Sequence, residues 1–152
     1  MTSYRHLGKA LCAPCVALAL CLGVTEDAHA TLGGDVPSIR ANLASLGATL
    51  QLATSDRHEL VLPSGTVVRE YVSPAGVVYA ISWRGSGLAN LRELLGPYFA
   101  QVEHARHSGG HHLLNLVGTD LVVRAMGHRH SFAGHAWVPS LVPAGVDAGA
   151  LP

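Results

Sequence analysis

Two stretches of the chain concentrate imidazoles. HARHSGGHH, residues 104–112, holds His104, His107, His111 and His112, and GHRHSFAGH, residues 127–135, holds His128, His130 and His135. Neutral imidazole nitrogens bind zinc, copper or nickel, so the first question is which of these rings can converge. On a helix His104 and His107 stand three apart and share a face. His111 and His112 join them only if Ser108-Gly109-Gly110 folds the chain back. On a regular strand His128 and His130 would point to one side, but the sequence places both at a hairpin loop, where alternation lapses. A structural zinc site uses four ligands oriented by carboxylates or carbonyls, and the acids at hand are Glu103 and Asp120. His104, His107, His111, His128 and His130 are thus the candidate ligands for Zn, Cu or Ni, and a solvated, histidine-decorated surface is the favoured reading. His135, on one strand face with Trp137, reads as an edge or core histidine with a backbone partner.

Catalytic arrangements have less support. Ser82, Ser86, Ser131 and Asp120 can be combined with a histidine into a nucleophilic triad on paper, yet no G-x-S-x-G elbow surrounds any serine. A hydrolase with His128 or His135 as base is carried only as a second alternative, and no catalytic residue is assigned. Gly85-Ser86-Gly87 before a helix has the composition of an anion cradle, but an ordinary strand-to-helix loop needs the same residues.

The first thirty residues stand apart from these elements. Arg5, His6 and Lys9 form a basic start, Ala10 to Val24 is an apolar run of fifteen, and Ala28-His29-Ala30 supplies the small-x-small pattern that signal peptidases cut after. The run is short of the ~20 residues that cross a bilayer, and Glu26 and Asp27 close it. The expectation is a cleaved signal over residues 1–30 and an exported chain from Thr31, periplasmic or extracellular, without a transmembrane anchor. All three cysteines, Cys12, Cys15 and Cys21, and the only lysine, Lys9, lie in that leader. Thiolate chemistry and lysine Schiff bases are therefore closed to the exported chain. Its eight arginines face eight scattered acids with no basic stripe, which argues against nucleic acid.

From Thr31 onward the pattern predicts one domain over 31–138 and a Pro/Gly/Ala-rich tail over 139–152. Asp35 caps a helix, Pro37 suits its first turn, and Val36, Ile39, Leu43 and Leu46 recur at helical steps until Gly47. Strands follow at Leu50 to Ala53, Glu59 to Leu62, Thr66 to Ser73 and Val77 to Arg84. The last three are joined by Leu62-Pro63-Ser64-Gly65 and Ser73-Pro74-Ala75-Gly76, in which proline presets a type I turn and glycine takes the left-handed position. Val77, Tyr79, Ile81 and Trp83 share one strand face, the expected core face. A helix from near Ser86 to about His107, with Leu88, Leu91, Leu95, Tyr98 and Val102 as its stripe, is expected to cover that face and to kink or split at Gly96-Pro97. Two strands, Asp120 to Met126 and Phe132 to Val138, complete the domain, and the tail is either draped along it or frayed. The fold class is α+β, a mainly antiparallel meander sheet with helices packed on one face.

The stretches ATLGGDVPSIRANLASLGA, EYVSPAGVVYAISWRG, LRELLGPYF and DLVVRAMGHRHSFAGHAWVPSLVPAGV resemble a secreted bacterial family catalogued as domain of unknown function 2844. The resemblance spans nearly all of the chain after the leader. It implies a small exported protein and carries no catalytic residues with it. The functional expectation is a non-enzymatic binding or envelope-associated protein, its partner a cell-envelope component, another protein or a small apolar ligand. A histidine-based periplasmic metal binder is the alternative. Eight histidines with ordinary pKa near 6.5 would also make the exported chain cationic at mildly acidic pH, strengthening attachment to anionic envelope polymers.

Overall fold

The computed structural model describes residues 32–86, 89–107 and 113–152. Residues 1–31 with the three cysteines, Gly87, Leu88 and residues 108–112, including His111 and His112, lie outside the described residues.

Helix α1, Val36–Leu46, occupies the span that the apolar spacing predicts. It stops at Gly47, whose φ of 58° few other residues adopt, and Ala48 N–H reaches back to the Leu43 carbonyl at 2.9 Å. Four strands then run as a meander: β1 Thr49–Ala53, β2 Arg57–Val61, β3 Val67–Val72 and β4 Val78–Gly85. Both proline–glycine corners form as the sequence dictates. Gly65 and Gly76 sit at φ 78°, and their N–H groups donate to the carbonyls of Leu62 and Ser73 at 2.8 Å.

The next helical segment divides where glycine and proline adjoin. α2 Leu91–Leu95 ends at Gly96, one turn of 3-10 helix spans Gly96–Tyr98, and α3 Phe99–His107 follows. Proline lacks the N–H that an unbroken helix would use, and its ring displaces the preceding turn. Arg92 bridges the break by pairing with Glu103 at 2.8 Å and lying 4.4 Å from the centre of the Phe99 ring. The helical region begins at Leu91, later than the Ser86 expected from the apolar stripe.

Three strands follow where two were expected: β5 Leu113–Val117, β6 Val122–His128 and β7 Ser131–Trp137. β5, LLNLV, is not marked in the sequence because five residues with one central asparagine show neither clear strand alternation nor helical spacing. β7 pairs with β4, giving one antiparallel seven-stranded sheet in the order β1-β2-β3-β4-β7-β6-β5. The protein is thus α+β, and mostly sheet.

Register assigns each side chain a face. His58, Leu60, Val68, Glu70, Ile81, Trp83, Val123 and Ala136 share the first face. The largest buried cluster joins most of these to Ile39 of α1, Leu94 and Leu95 of α2 and Val102 of α3. Burying each such leucine or isoleucine contributes roughly 2 kcal/mol. Trp83 can lie flat across β7 because Gly134 stands opposite it. A Cβ there would collide with the Trp83 ring, and would also come within 2.8 Å of Ala125 Cβ and the Arg124 carbonyl.

Two residues expected on the core face, Val77 and Tyr79, do not join the first-face cluster, and Val77 is only half-buried. A bulge shifts the register of β3 against β4 between Tyr71 and Val72, so Val72 pairs with Val78 and Tyr71 with Ala80. Val78 takes the first-face position, while Tyr79 packs with Tyr71 and Ala80 in a separate buried cluster, its ring 6.4 Å from that of Tyr71. Strict alternation fails for Tyr79 because a bulge inserts one residue into one strand only. Leu141, Val142 and Leu151 of the tail close this second cluster, so residues 139–152 are draped along the sheet. Short 3-10 turns at Pro139–Leu141 and Ala148–Ala150 bend the tail back.

Candidate functional site

The second face of the sheet carries a row of polar side chains that only the strand register reveals. Glu59 pairs with Arg69, Arg69 with Ser82, Ser82 with His135, His135 with Arg124 and Arg124 with Asn115. Six neighbouring strands each contribute one residue, and because side chains alternate, all six point the same way. The row on one side is Arg57, Tyr71, Ala80, Trp137, Val122 and Val117, whose middle lies under the tail. The row on the other is Val61, Val67, Arg84, Ala133, Met126 and Leu113.

A groove of about 510 Å³ opens over the middle of these rows, with Arg69, Ser82, Arg84, Asn115, Arg124, Met126, Ala133 and His135 in its lining and Leu151 and Pro152 as a wall. Its depth has a local cause. Ala133 offers a single methyl group, while Arg84, Met126, Arg124 and His135 around it are long or broad. The volume falls in the range of small-molecule sites.

The electrostatics of the lining are one-sided. Arg69 Nε donates to Glu59 at 2.7 Å, so its charge is met. Arg84 is exposed, and Arg124 is exposed with its guanidinium 5.7 Å from the Trp137 ring centre. No carboxylate side chain lines the groove. Burial, and then the Arg124 charge, hold the His135 imidazole below its usual pKa, so it is neutral at pH 7. Its Nε2 is buried and makes no hydrogen bond, in place of the backbone partner expected for this ring, which stands 5.2 Å from Trp137. Ser82 Oγ and the Tyr71 hydroxyl both donate to the Pro152 backbone oxygen, at 2.6 and 2.7 Å.

Ser82 and His135 stand directly opposite each other, a pairing of a nucleophile with a base, as Ser131 and His128 also do on β7 and β6. The next group in the row beyond His135 is Arg124, where a base would need a carboxylate to hold the imidazolium, and the Ser82 proton is directed at Pro152.

The metal candidates fall elsewhere. His104 is exposed on α3, and His107 ends that helix with its side chain outside the described residues, as is all of His111. His128 is the last residue of β6, paired with Ser131, so it belongs to a strand and not to the loop expected for it. His130 lies in the two-residue turn with Arg129, and both histidines are exposed. Among the described residues no three His, Cys, Asp or Glu side chains gather as a metal ion requires.

A second polar pair was also hidden from the sequence. His58 and Glu70 face each other across β2 and β3 on the first face, both buried, Glu70 with 1% exposure. His58 Nδ1 and Glu70 Oε2 make no hydrogen bond. Burial pushes the Glu70 carboxyl up to about 8 and His58 down, so both are uncharged at neutral pH.

No helix among the described residues is long and apolar enough to cross a membrane. No curated protein and no solved structure matches the chain. A family model does match residues 28–151, and the chain belongs to that family, described as protein of unknown function (DUF2844).

Proposed function

We propose that this is an exported, non-enzymatic binding domain whose ligand lies on the second face of the sheet. In this reading the helices cover the first face, and the second is left to the tail and to the groove over Ala133. The groove carries the proposal: it gathers three arginines, a serine, an asparagine and a histidine from five strands into one concave surface. Such convergence of a few polar groups in a largely apolar recess is how small-ligand sites are built. The basic start, apolar run and Ala28-His29-Ala30 support export.

The test uses protein expressed with its own leader and recovered outside the cytoplasm, where its chain should begin at Thr31. A small-molecule library is screened for thermal stabilisation of the protein and of Ala133→Trp, which fills the groove from its floor. Compounds that stabilise the parent and not the folded variant support the reading. Stabilisation that survives in Ala133→Trp places the ligand elsewhere and overturns it.

A further inference from the structure

We infer that the groove takes a small amphipathic anion, an oxyanion head held between Arg84 and Arg124 with a short apolar limb among Met126, Ala133 and Leu151. The inference rests on the groove being the ligand site, and deepens that reading by fixing the chemical class of the ligand.

The charge inventory decides the head. Every charged side chain in the lining is an arginine, and only Arg69 is matched, by Glu59 of the adjacent strand. Arg84 and Arg124 flank β7 from opposite sides: Arg84 pairs with Ala133 on β4, and Arg124 pairs with His135 on β6. Neighbouring strands lie ~4.8 Å apart, so the two strands are separated by about 10 Å, and the arginines are offset by one row along them with Ala133 and His135 between. The Arg124 guanidinium rests by Trp137, and turning its flexible stem toward Arg84 closes much of that gap. A guanidinium offers a planar fork of donors that suits carboxylate and phosphate oxygens alike. A cationic head would meet two uncompensated charges, and a neutral one would leave them unused.

The rest of the lining decides the limb. Met126 is 67% exposed with Ala133 beside it, and Leu151 lines the groove from across the polar row. Methionine adapts its shape to irregular apolar groups. An inorganic anion would leave this apolar lining bare, and a polymer is poorly matched to a recess of about 510 Å³. Asn115 adds a hydrogen-bonding position near the head.

The experiment compares octanoate, octyl phosphate, octanol and inorganic phosphate as probes, with affinities taken from titration of the His135 and Ala133 NMR signals. Octanoate or octyl phosphate should bind roughly tenfold or more tighter than octanol and than inorganic phosphate, because charge-assisted pairs and apolar burial then act together. The tighter of the two identifies the head. Arg84→Gln and Arg124→Gln should each weaken the anionic probes about tenfold and leave octanol unchanged. Both arginines are exposed, so neither variant threatens the fold. Octanol binding as tightly as the anions, inorganic phosphate binding as tightly as either, or no response to either amphipathic anion overturns the inference. Ala133→Trp separates the two levels. If it blocks octanol and octanoate equally bound by the parent, the groove is the site and only the anion is wrong. If octanoate binding persists in it, the groove reading itself has failed.

Discussion

Two adjacent rows of the same sheet make opposite use of polar residues. On the first face the row His58, Glu70, Ile81, Ala136, Val123 and Leu116 buries its two ionisable groups at one end and leaves both neutral. One residue further along each strand, the row Glu59, Arg69, Ser82, His135, Arg124 and Asn115 keeps its arginines charged and open to a groove. Charge survives where a side chain reaches solvent and is suppressed where it is buried, as at His58 and Glu70 on the first face and at His135 on the second. A one-residue step thus decides which face a histidine or carboxylate takes, and burial then sets what its charge costs.

The comparison is tested most severely at Glu70. Its carboxyl titrates near 8 in the folded protein, well above the 4.5 of a free glutamate. A raised folded pKa means that the native state holds the proton more tightly than the unfolded chain. Stability is therefore full below about pH 4.5, falls as pH rises through the interval, and levels off above about 8. The slope from this group approaches about 1.4 kcal/mol per pH unit, for a total of about 5 kcal/mol. His58, shifted down, works in the opposite direction and costs stability as pH falls below its ordinary value. Urea unfolding at pH 5, 6, 7 and 8 should show the fall in the parent and its loss in Glu70→Gln. An unchanged slope in the variant would mean that the first face accommodates the charge after all.

Gly134 gives a smaller effect on the same face. Ala substitution places a methyl against the Trp83 ring, the Ala125 Cβ and the Arg124 carbonyl, two of which belong to paired strands that cannot easily recede. Overpacking of this kind costs about 1–3 kcal/mol, and Gly134→Ala should lie near the upper end. Its neighbour Ala133 faces the groove, so Ala133→Gly should change stability by well under that amount. Equal losses at the two positions, measured by thermal and urea unfolding, would erase the distinction between the faces.

What the sequence made legible was local. Gly47, the two proline–glycine corners and Gly96-Pro97 each act within a few residues, and the end of α1, the meander and the helix break appear where they predict. The polar row stayed hidden because its members lie at 59, 69, 82, 115, 124 and 135, and only the long-range pairing of β7 with β4 aligns them. Tyr79 was misplaced because a bulge leaves no mark in an alternating pattern. Histidine counting drew attention to His104, His128 and His130, whereas the histidines with unusual surroundings are the isolated His58 and His135. Burial, not clustering, sets an imidazole's chemistry, and burial depends on register.

The tail supplies the mildest test, because it packs mainly on the second face, with Leu141 alone also touching the first-face cluster. Leu141, Val142 and Leu151 pack on Tyr71, Tyr79 and Ala80, and the end is fixed by the two hydroxyls that reach Pro152. Each neutral hydrogen bond contributes about 1 kcal/mol, and neither Tyr71→Phe nor Ser82→Ala opens a large cavity. The paired variant should therefore lose roughly 1–2 kcal/mol, felt first in the tail. Hydrogen exchange should quicken at the Leu141, Val142 and Ala150 amides, which bond only to nearby carbonyls, while the central strands β4 and β7 keep their protection. Uniform quickening across both faces would show that the tail is an integral part of the core. Confinement to residues 139–152 would show that one wall of the groove can move independently of the sheet that bears its arginines.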